Sequence, residues 1–130
     1  MSFFKRLLGR DQQDDEGEDT PIALDQERRK AQLVRLERAL DALANEMRAE
    51  QSVDNPGWRA RVNEYSRLAG EAMMLRRAPL SRDTLLDLVF EVRPVFSGAI
   101  PEGMERLGPM QDEVMAAAAD LQELLPGERR

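Results

Sequence analysis

The chain has 130 residues, a formal net charge of −6 at pH 7, and 34% charged against 5% aromatic residues. It contains no cysteine, which excludes disulfides, thiolate metal sites and cysteine nucleophiles. It also contains no histidine, which removes the usual general base and the commonest metal ligand. The negative charge argues against a nucleic-acid partner, because such proteins normally present a basic face. The sequence therefore predicts a protein that is not an enzyme and that has no cofactor and no metal site.

The composition favours helices throughout the chain. Leu, Ala, Glu and Arg dominate and are good helix formers, whereas the strand former threonine occurs at Thr20 and Thr84 alone. Because Lys5 and Lys30 are the two lysines, 17 of the 19 basic residues are arginine, which indicates a GC-rich, bacterial genome. No stretch is long and apolar enough to span a bilayer, and the first residues lack the apolar core of a secretory signal. We therefore expect a cytoplasmic protein.

Residues 1–10, MSFFKRLLGR, form a short basic amphipathic peptide with a charge of +3. In a helix its apolar residues would share one face, because they are spaced at i, i+1, i+4 and i+5: Phe3, Phe4, Leu7 and Leu8. Two turns are too few for a helix that is stable alone, so the peptide would fold on binding. It would contact an unidentified protein partner or, peripherally, the anionic inner face of a membrane. The alternative is a terminus that frays or folds back onto the domain.

Residues 11–19, DQQDDEGED, carry a charge of −6 and no large apolar side chain. Such a segment cannot bury enough apolar surface to offset the entropy of ordering it, so it is predicted to be an acidic, disordered tether. The helical domain is predicted to follow over residues 20–126.

The first predicted helix spans about 21–51, with Thr20 as its N-cap and Pro21 at its first position. Its apolar residues are spaced by three, four, three and four: Leu33, Leu36, Leu40, Leu43 and Met47. This heptad spacing places all five side chains on one stripe of the helix. Such a stripe is typical of the spine of a bundle or of a seam between two copies.

Two further helices are predicted after clear breaks in the pattern. The second spans about 56–77, with Asn55 as its cap and Pro56 at its start, and its apolar stripe is Trp58, Val62, Tyr65, Ala69 and Ala72. The third lies near 82–93, is capped by Ser81, and is apolar around most of its circumference: Leu85, Leu86, Leu88, Val89, Phe90 and Val92. We expect this short helix to be contacted on two sides.

Residues 94–109, PVFSGAIPEGMERLGP, interrupt the helical pattern with three prolines and three glycines. The segment nevertheless contains apolar residues that must be either buried or used as a contact surface: Val95, Phe96, Ile100, Met104 and Leu107. Two interpretations stay open, a cover over one end of the bundle and a partner-binding element. With the four apolar residues of the N-terminal peptide, these five are the candidate interaction residues.

The last predicted helix spans about 109–125 and begins at Pro109. Its apolar stripe again follows the four-three spacing: Met110, Val114, Ala117, Leu121 and Leu124. Residues 116–119 are all alanine, which lets another helix approach closely. Residues 127–130 are predicted to form a frayed tail.

Together these elements predict an all-α fold, an antiparallel helical bundle of three long amphipathic helices plus one shorter apolar helix, with a disordered N-terminal leader. For function they favour a non-enzymatic helical protein-interaction module, attached to a membrane surface or a partner through residues 1–10. One alternative is a structural homo-oligomer, a homodimer for example, built on the seam of the first helix. The other is a small-molecule-binding bundle.

Overall fold

A computed structural model describes residues 23–53 and 55–128 of the chain. Within these ranges the protein is all-helical and contains no strand. Four helices follow one another: α1 (Gln26–Ala49), α2 (Pro56–Leu75), α3 (Arg82–Glu91) and α4 (Leu107–Gln122). The predicted fold class, with three long helices and one short one, is confirmed. The predicted peptide and tether over 1–19, and the last two residues of the predicted tail, lie outside the described residues.

The helices form an antiparallel bundle in which each packs against two neighbours. α1 and α3 lie opposite each other, and both pack against α2 and α4. Neighbouring helices are antiparallel, because the contacts between them run in reverse order along the two chains. Between α1 and α2, Met47 contacts Trp58 and Glu37 contacts Arg76; between α1 and α4, Arg29 contacts Leu121 and Glu46 contacts Arg106. Between α2 and the end of α3, Arg67 contacts Glu91 and Tyr65 contacts Arg93; between α3 with the residues after it and α4, Arg82 contacts Gln122 and Phe96 contacts Gln111. Short connections over 50–55 and 76–81 favour this arrangement. None of the described helices is both long enough and apolar enough to cross a membrane.

α1 is the spine of the bundle. The residues of its predicted stripe are all 0% exposed: Leu33, Leu36, Leu40, Leu43 and Met47. Burying each such side chain stabilises the fold by about 1.5–3 kcal/mol relative to leaving it exposed. Because the stripe is already buried against the other helices of the same chain, it is not free to pair with a second copy. The seam on which the homo-oligomer alternative depends is therefore not an exposed surface in this fold.

α1 begins later than predicted. Ala23 to Asp25 are not helical, and Asp25 is the N-cap, with its carboxylate accepting a hydrogen bond from the Arg28 N–H at 3.2 Å. The predicted start at Pro21 is therefore wrong. The physical reason is a tertiary contact, because the Asp25 N–H donates to the carboxylate of Glu128 at 2.7 Å and is held out of the helix.

The other helix ends show which capping residues and boundaries could be predicted from the local sequence. Asn55 and Ser81 cap α2 and α3 as predicted, by accepting hydrogen bonds from backbone N–H groups three residues on. α4 begins at Leu107, two residues before the predicted start at Pro109, which is tolerated because the first N–H groups of a helix need no intrahelical partner. Helices α1 to α4 each end two or three residues before the predicted boundary, which is where such predictions are weakest.

The segment after α4 returns to the start of α1. The predicted frayed tail over 127–130 is wrong at Glu128, which is 2% exposed and pairs with the buried Arg29. Gly127 makes the return possible, because its φ of +93° lies in the region that favours glycine. The prediction failed because a terminal Pro-Gly-Glu sequence carries no local sign of a partner about a hundred residues earlier.

Tyr65 joins α2 to the residues that follow α3. Its ring is 0% exposed, its hydroxyl donates a hydrogen bond to the Arg93 carbonyl, and burial raises the pKa of the hydroxyl to about 12. Tyr65→Phe keeps the ring but leaves that carbonyl without its partner, so we expect the free energy of unfolding to fall by about 1 kcal/mol. Urea unfolding followed by circular dichroism measures this. A stability equal to that of the wild type would show that the hydrogen bond contributes nothing.

Candidate interaction surface

The structure separates the nine candidate interaction residues into three groups. Phe3, Phe4, Leu7 and Leu8 lie outside the described residues. Met104 and Leu107 belong to the buried core, at 9% and 0% exposure, so they offer no contact surface. Val95, Phe96 and Ile100 are half-buried and pack against that core. Residues 94–109 therefore act mainly as a cover over the bundle, and the structure does not bring them together as an open patch.

Specific contacts hold this cover in place. The Phe96 N–H donates to the side-chain oxygen of Gln111 at 2.8 Å, and the ring centroids of Phe96 and Trp58 lie 6.3 Å apart. Gly108 leaves room for Ile100, since a Cβ at position 108 would lie 2.8 Å from the Ile100 Cδ1 atom. These contacts explain why an irregular, apolar segment can stay close to the core.

Ion pairs cross three of the four grooves between neighbouring helices. Arg35 bridges α1 and α4 by contacting Glu113 at 2.8 Å and Asp120 at 2.6 Å. The hydrogen bonds to these carboxylates raise the pKa of Arg35 above its usual value. The other bridging pairs have the same chemistry: Arg106 with Glu46 and Glu50 across α1 and α4, Arg67 with Glu91 across α2 and α3, and Arg76 with Glu37 across α1 and α2. An exposed pair of this kind stabilises the fold little by itself, but together the pairs cover these grooves with paired charge.

The groove between α3 and α4 is different. Among residues 23–53 and 55–128, no ion pair bridges these two helices. Arg82 marks the side of α3 that looks toward α4, because its guanidinium donates to the Gln122 carbonyl at 3.1 Å. Leu86 follows Arg82 at i+4 and therefore shares that side, and Phe90 follows Leu86 at i+4 and lies farther toward solvent. The prediction that α3 is contacted on two sides agrees with its packing against α2 and α4, and Phe90 is left 60% exposed outside these two contacts.

Apolar residues line this groove on both helices. On α4, Gln111 contacts the segment that follows α3, and Met115 and Ala119 lie on the same side at i+4 and i+8. Leu86 is half-buried yet does not pack against the core, Met115 is half-buried against the core, and Ala119 is exposed. We call Leu86, Phe90, Met115 and Ala119 the α3/α4 face.

Carboxylates frame the α3/α4 face. Four exposed acidic residues lie three, four or seven positions from its members along the two helices, and none of them has an ion-pair partner among the described residues: Asp83, Asp87, Asp112 and Glu123. Asp87 also lines the cleft between α2 and α3, so it borders the face on the side away from α4. Two arginines lie at its ends. Arg82 is engaged with the end of α4, and Arg93 is exposed just beyond α3. The face is thus apolar at its centre and predominantly acidic at its rim.

A concave feature lies where α1 and α2 meet. This cleft encloses about 460 Å³ beside Trp58 and the end of α1. Two of its charged side chains are already bound to neighbours, since Arg48 donates to Ser66 and Glu50 accepts from Arg106. Within the described residues, no group of three or more acidic side chains is placed to hold a metal ion. The α3/α4 face is therefore the stronger candidate for recognition.

Leu86 and Phe90 were recognised in the sequence as apolar residues of the third helix but were not among the candidate interaction residues. The signal that could have singled them out is their i, i+4 spacing outside the stripe formed by Leu85, Leu88 and Val89. Because α3 has a helix on two sides only, that second stripe is left uncovered. Comparison of the chain with protein-family models, with curated proteins and with solved structures finds no match.

Proposed function

We propose that the protein is a non-enzymatic interaction module whose α3/α4 face binds an amphipathic helix with basic flanks. The observation that carries the proposal is the 60% exposure of Phe90 on α3, the helix whose boundary with α4 is crossed by no ion pair within the described part of the chain. A large aromatic side chain in an apolar groove is the usual anchor of helix-in-groove recognition.

The physical properties of the face specify the ligand. Covering the Phe90 side chain removes apolar area from water and is worth on the order of 1–2 kcal/mol, which is enough to anchor a helix but not enough to select one. Selection would come from the rim, where four unpaired carboxylates attract Lys and Arg and disfavour Asp and Glu. The predicted cytoplasmic location, and contact between residues 1–10 and an anionic membrane, stay predictions.

A defined peptide tests this proposal. We expect a fluorescent 14-residue helix of leucines and lysines to bind the full chain, and Phe90→Ser to weaken this binding about tenfold, or ~1.4 kcal/mol, because the anchor is lost. Fluorescence anisotropy measures the Kd. The matched control is Met74→Ser, since Met74 is similarly exposed, at 58%, but lies on α2 outside the face. It should change the Kd less than twofold.

The peptide has a control of its own. In a second helix the lysines are replaced by glutamates and the leucines are kept. We expect this acidic helix to bind at least tenfold more weakly, because the rim would repel it. Equal binding of both peptides, or equal loss of binding in Phe90→Ser and Met74→Ser, would contradict the proposal.

A further inference from the structure

We infer that the chain supplies its own ligand for this surface: residues 3–10 dock on the α3/α4 face of the same molecule. This inference rests on the proposed function, because it names the occupant of the site proposed above. It adds a regulatory consequence, since a segment docked in cis must leave before an external helix can bind.

The apolar residues of the segment match the face in size and spacing. Phe3, Phe4, Leu7 and Leu8 would occupy one side of a two-turn helix, as their spacing requires. A helix so short gains stability only when its apolar side is covered, which the groove around Phe90 would do. In the same contact Phe90 would lose its exposure to water, so both surfaces would gain from docking.

The charges are complementary as well. Residues 1–10 carry three cations and no anion: Lys5, Arg6 and Arg10. The rim of the face offers four exposed carboxylates without ion-pair partners, against the two arginines at its ends: Asp83, Asp87, Asp112 and Glu123. In the other grooves the carboxylates that bridge two helices are already paired with arginines of the bundle, so a basic peptide would have to displace an existing partner there, and Asp87 is an unpaired carboxylate that also lines the cleft between α2 and α3. The α3/α4 face therefore offers the most favourable charge environment for this segment.

The length of chain is sufficient for docking in cis. The start of α1 lies beside the start of α3, because the side chain of Gln26 exchanges two hydrogen bonds with the backbone of Leu80, at 2.7 and 3.1 Å. From Arg82, Phe90 lies eight residues along α3, or about 12 Å. Twelve residues, 11–22, separate the segment from Ala23. Twelve residues can span at most about 40 Å, which exceeds this distance.

A tether of this length makes even a weak contact effective. The effective concentration of a ligand on a short linker is on the order of millimolar, so a contact with a Kd of about 0.1 mM would be mostly formed. An external helix would then bind with an apparent affinity reduced by the fraction of molecules that are open. The segment would thus exclude weak, non-specific helices and admit those that bind more tightly than it does.

Paramagnetic relaxation enhancement tests the docking in the full chain. Because the protein has no cysteine, Ser2→Cys gives a single attachment site for a nitroxide label. We expect the amide signals of Leu86, Phe90, Met115 and Ala119 to be broadened, and those of Ala42 and Asn45 on α1 to be retained. The matched control carries Phe3→Ser and Phe4→Ser in the same labelled chain, and it should recover the signals of the face.

The remaining outcomes separate the two proposals. If the face is not broadened, cis docking is overturned, while Phe90-dependent binding of the basic peptide would still support the proposed function. If an isotope-labelled chain that carries no nitroxide shows the same broadening when it is mixed with a spin-labelled chain, the occupant is a second copy and the cis inference is wrong. If the face is not broadened and anionic vesicles instead remove the signals of residues 3–8, the segment is a membrane contact. If docking holds, Phe3→Ser with Phe4→Ser also strengthens binding of the basic peptide several-fold.

Discussion

Glu128→Ala is expected to lower the free energy of unfolding by about 3–5 kcal/mol, the largest effect that we expect from a single charged residue in this protein. The side chains of Glu128 and Arg29 are 1% and 0% exposed. Removing the carboxylate leaves the guanidinium buried without a counter-charge, which costs far more than the loss of a surface ion pair. Denaturant unfolding followed by circular dichroism measures the change.

The geometry explains why this pair should matter. The Arg29 guanidinium donates to both carboxylate oxygens of Glu128, from Nε at 3.0 Å and from Nη2 at 2.6 Å. Its other N–H groups donate to the Gln32 side chain and to the carbonyls of Leu121 and Glu123 at the end of α4. A cation at the C-terminal end of a helix is favoured by the helix dipole. One side chain therefore ties the start of α1 to the end of α4 and to the residues that follow it.

The same pair predicts a dependence of stability on pH. Burial alone would raise the pKa of the Glu128 carboxyl, but the hydrogen bonds from Arg29 and from the N–H groups of Leu125 and Asp25 outweigh it and lower this pKa to about 2. A pKa that is lower in the folded than in the unfolded chain gives stability that is full above about pH 4.5 and is lost as the pH falls toward 2. We expect the wild type to lose more stability over this interval than Glu128→Gln does.

A double variant separates the contribution of the ion pair from the contribution of the volume that its two side chains fill. Arg29→Met together with Glu128→Leu removes both charges and keeps most of the volume, so it should be markedly more stable than Glu128→Ala alone. If the double variant is as unstable as Glu128→Ala, the stability comes from other interactions of the Arg29 donors. A loss below about 1 kcal/mol in Glu128→Ala would show that the C-terminal segment does not hold the bundle together.

Leu36→Ala is expected to lower the free energy of unfolding by about 2–5 kcal/mol, because it removes a fully buried side chain and leaves a cavity in the spine of the bundle. Chemical denaturation measures this loss. The matched control is Leu86→Ala, since Leu86 is half-buried on the α3/α4 face and does not pack against the core. We expect a loss below about 1 kcal/mol there. Equal losses at the two positions would mean that the face is part of the core and is not a free surface.

Local sequence signals predicted the helices well because their causes are local. The three-four spacing of Leu33 to Met47 defines one side of a helix whatever lies opposite, and all five side chains are buried. Asn55 and Ser81 act on N–H groups three residues away, so their capping is visible in the sequence. Where a boundary depends on a distant residue, as at Asp25, the prediction failed.

The candidate surface was predicted less well. The apolar residues of 94–109 were predicted to need either burial or a partner, but composition does not say which. In the structure Met104 and Leu107 are buried in the core. Phe90 was not among the candidate interaction residues, because α3 is apolar on most sides and was expected to be contacted on two of them. Its exposure depends on how many helices surround α3, and that is a property of the assembled bundle.

By itself, the sequence of this protein determined an all-helical bundle, the stripe that forms its spine, and a basic amphipathic segment ahead of an acidic one. These features follow from periodicity, capping and charge, which act over a few residues. Two other features come from tertiary contacts: Glu128 pairs with Arg29, 99 residues earlier, and Phe90 faces water. Both depend on which helices become neighbours, and that is set by the burial of the whole chain and by no single segment of it.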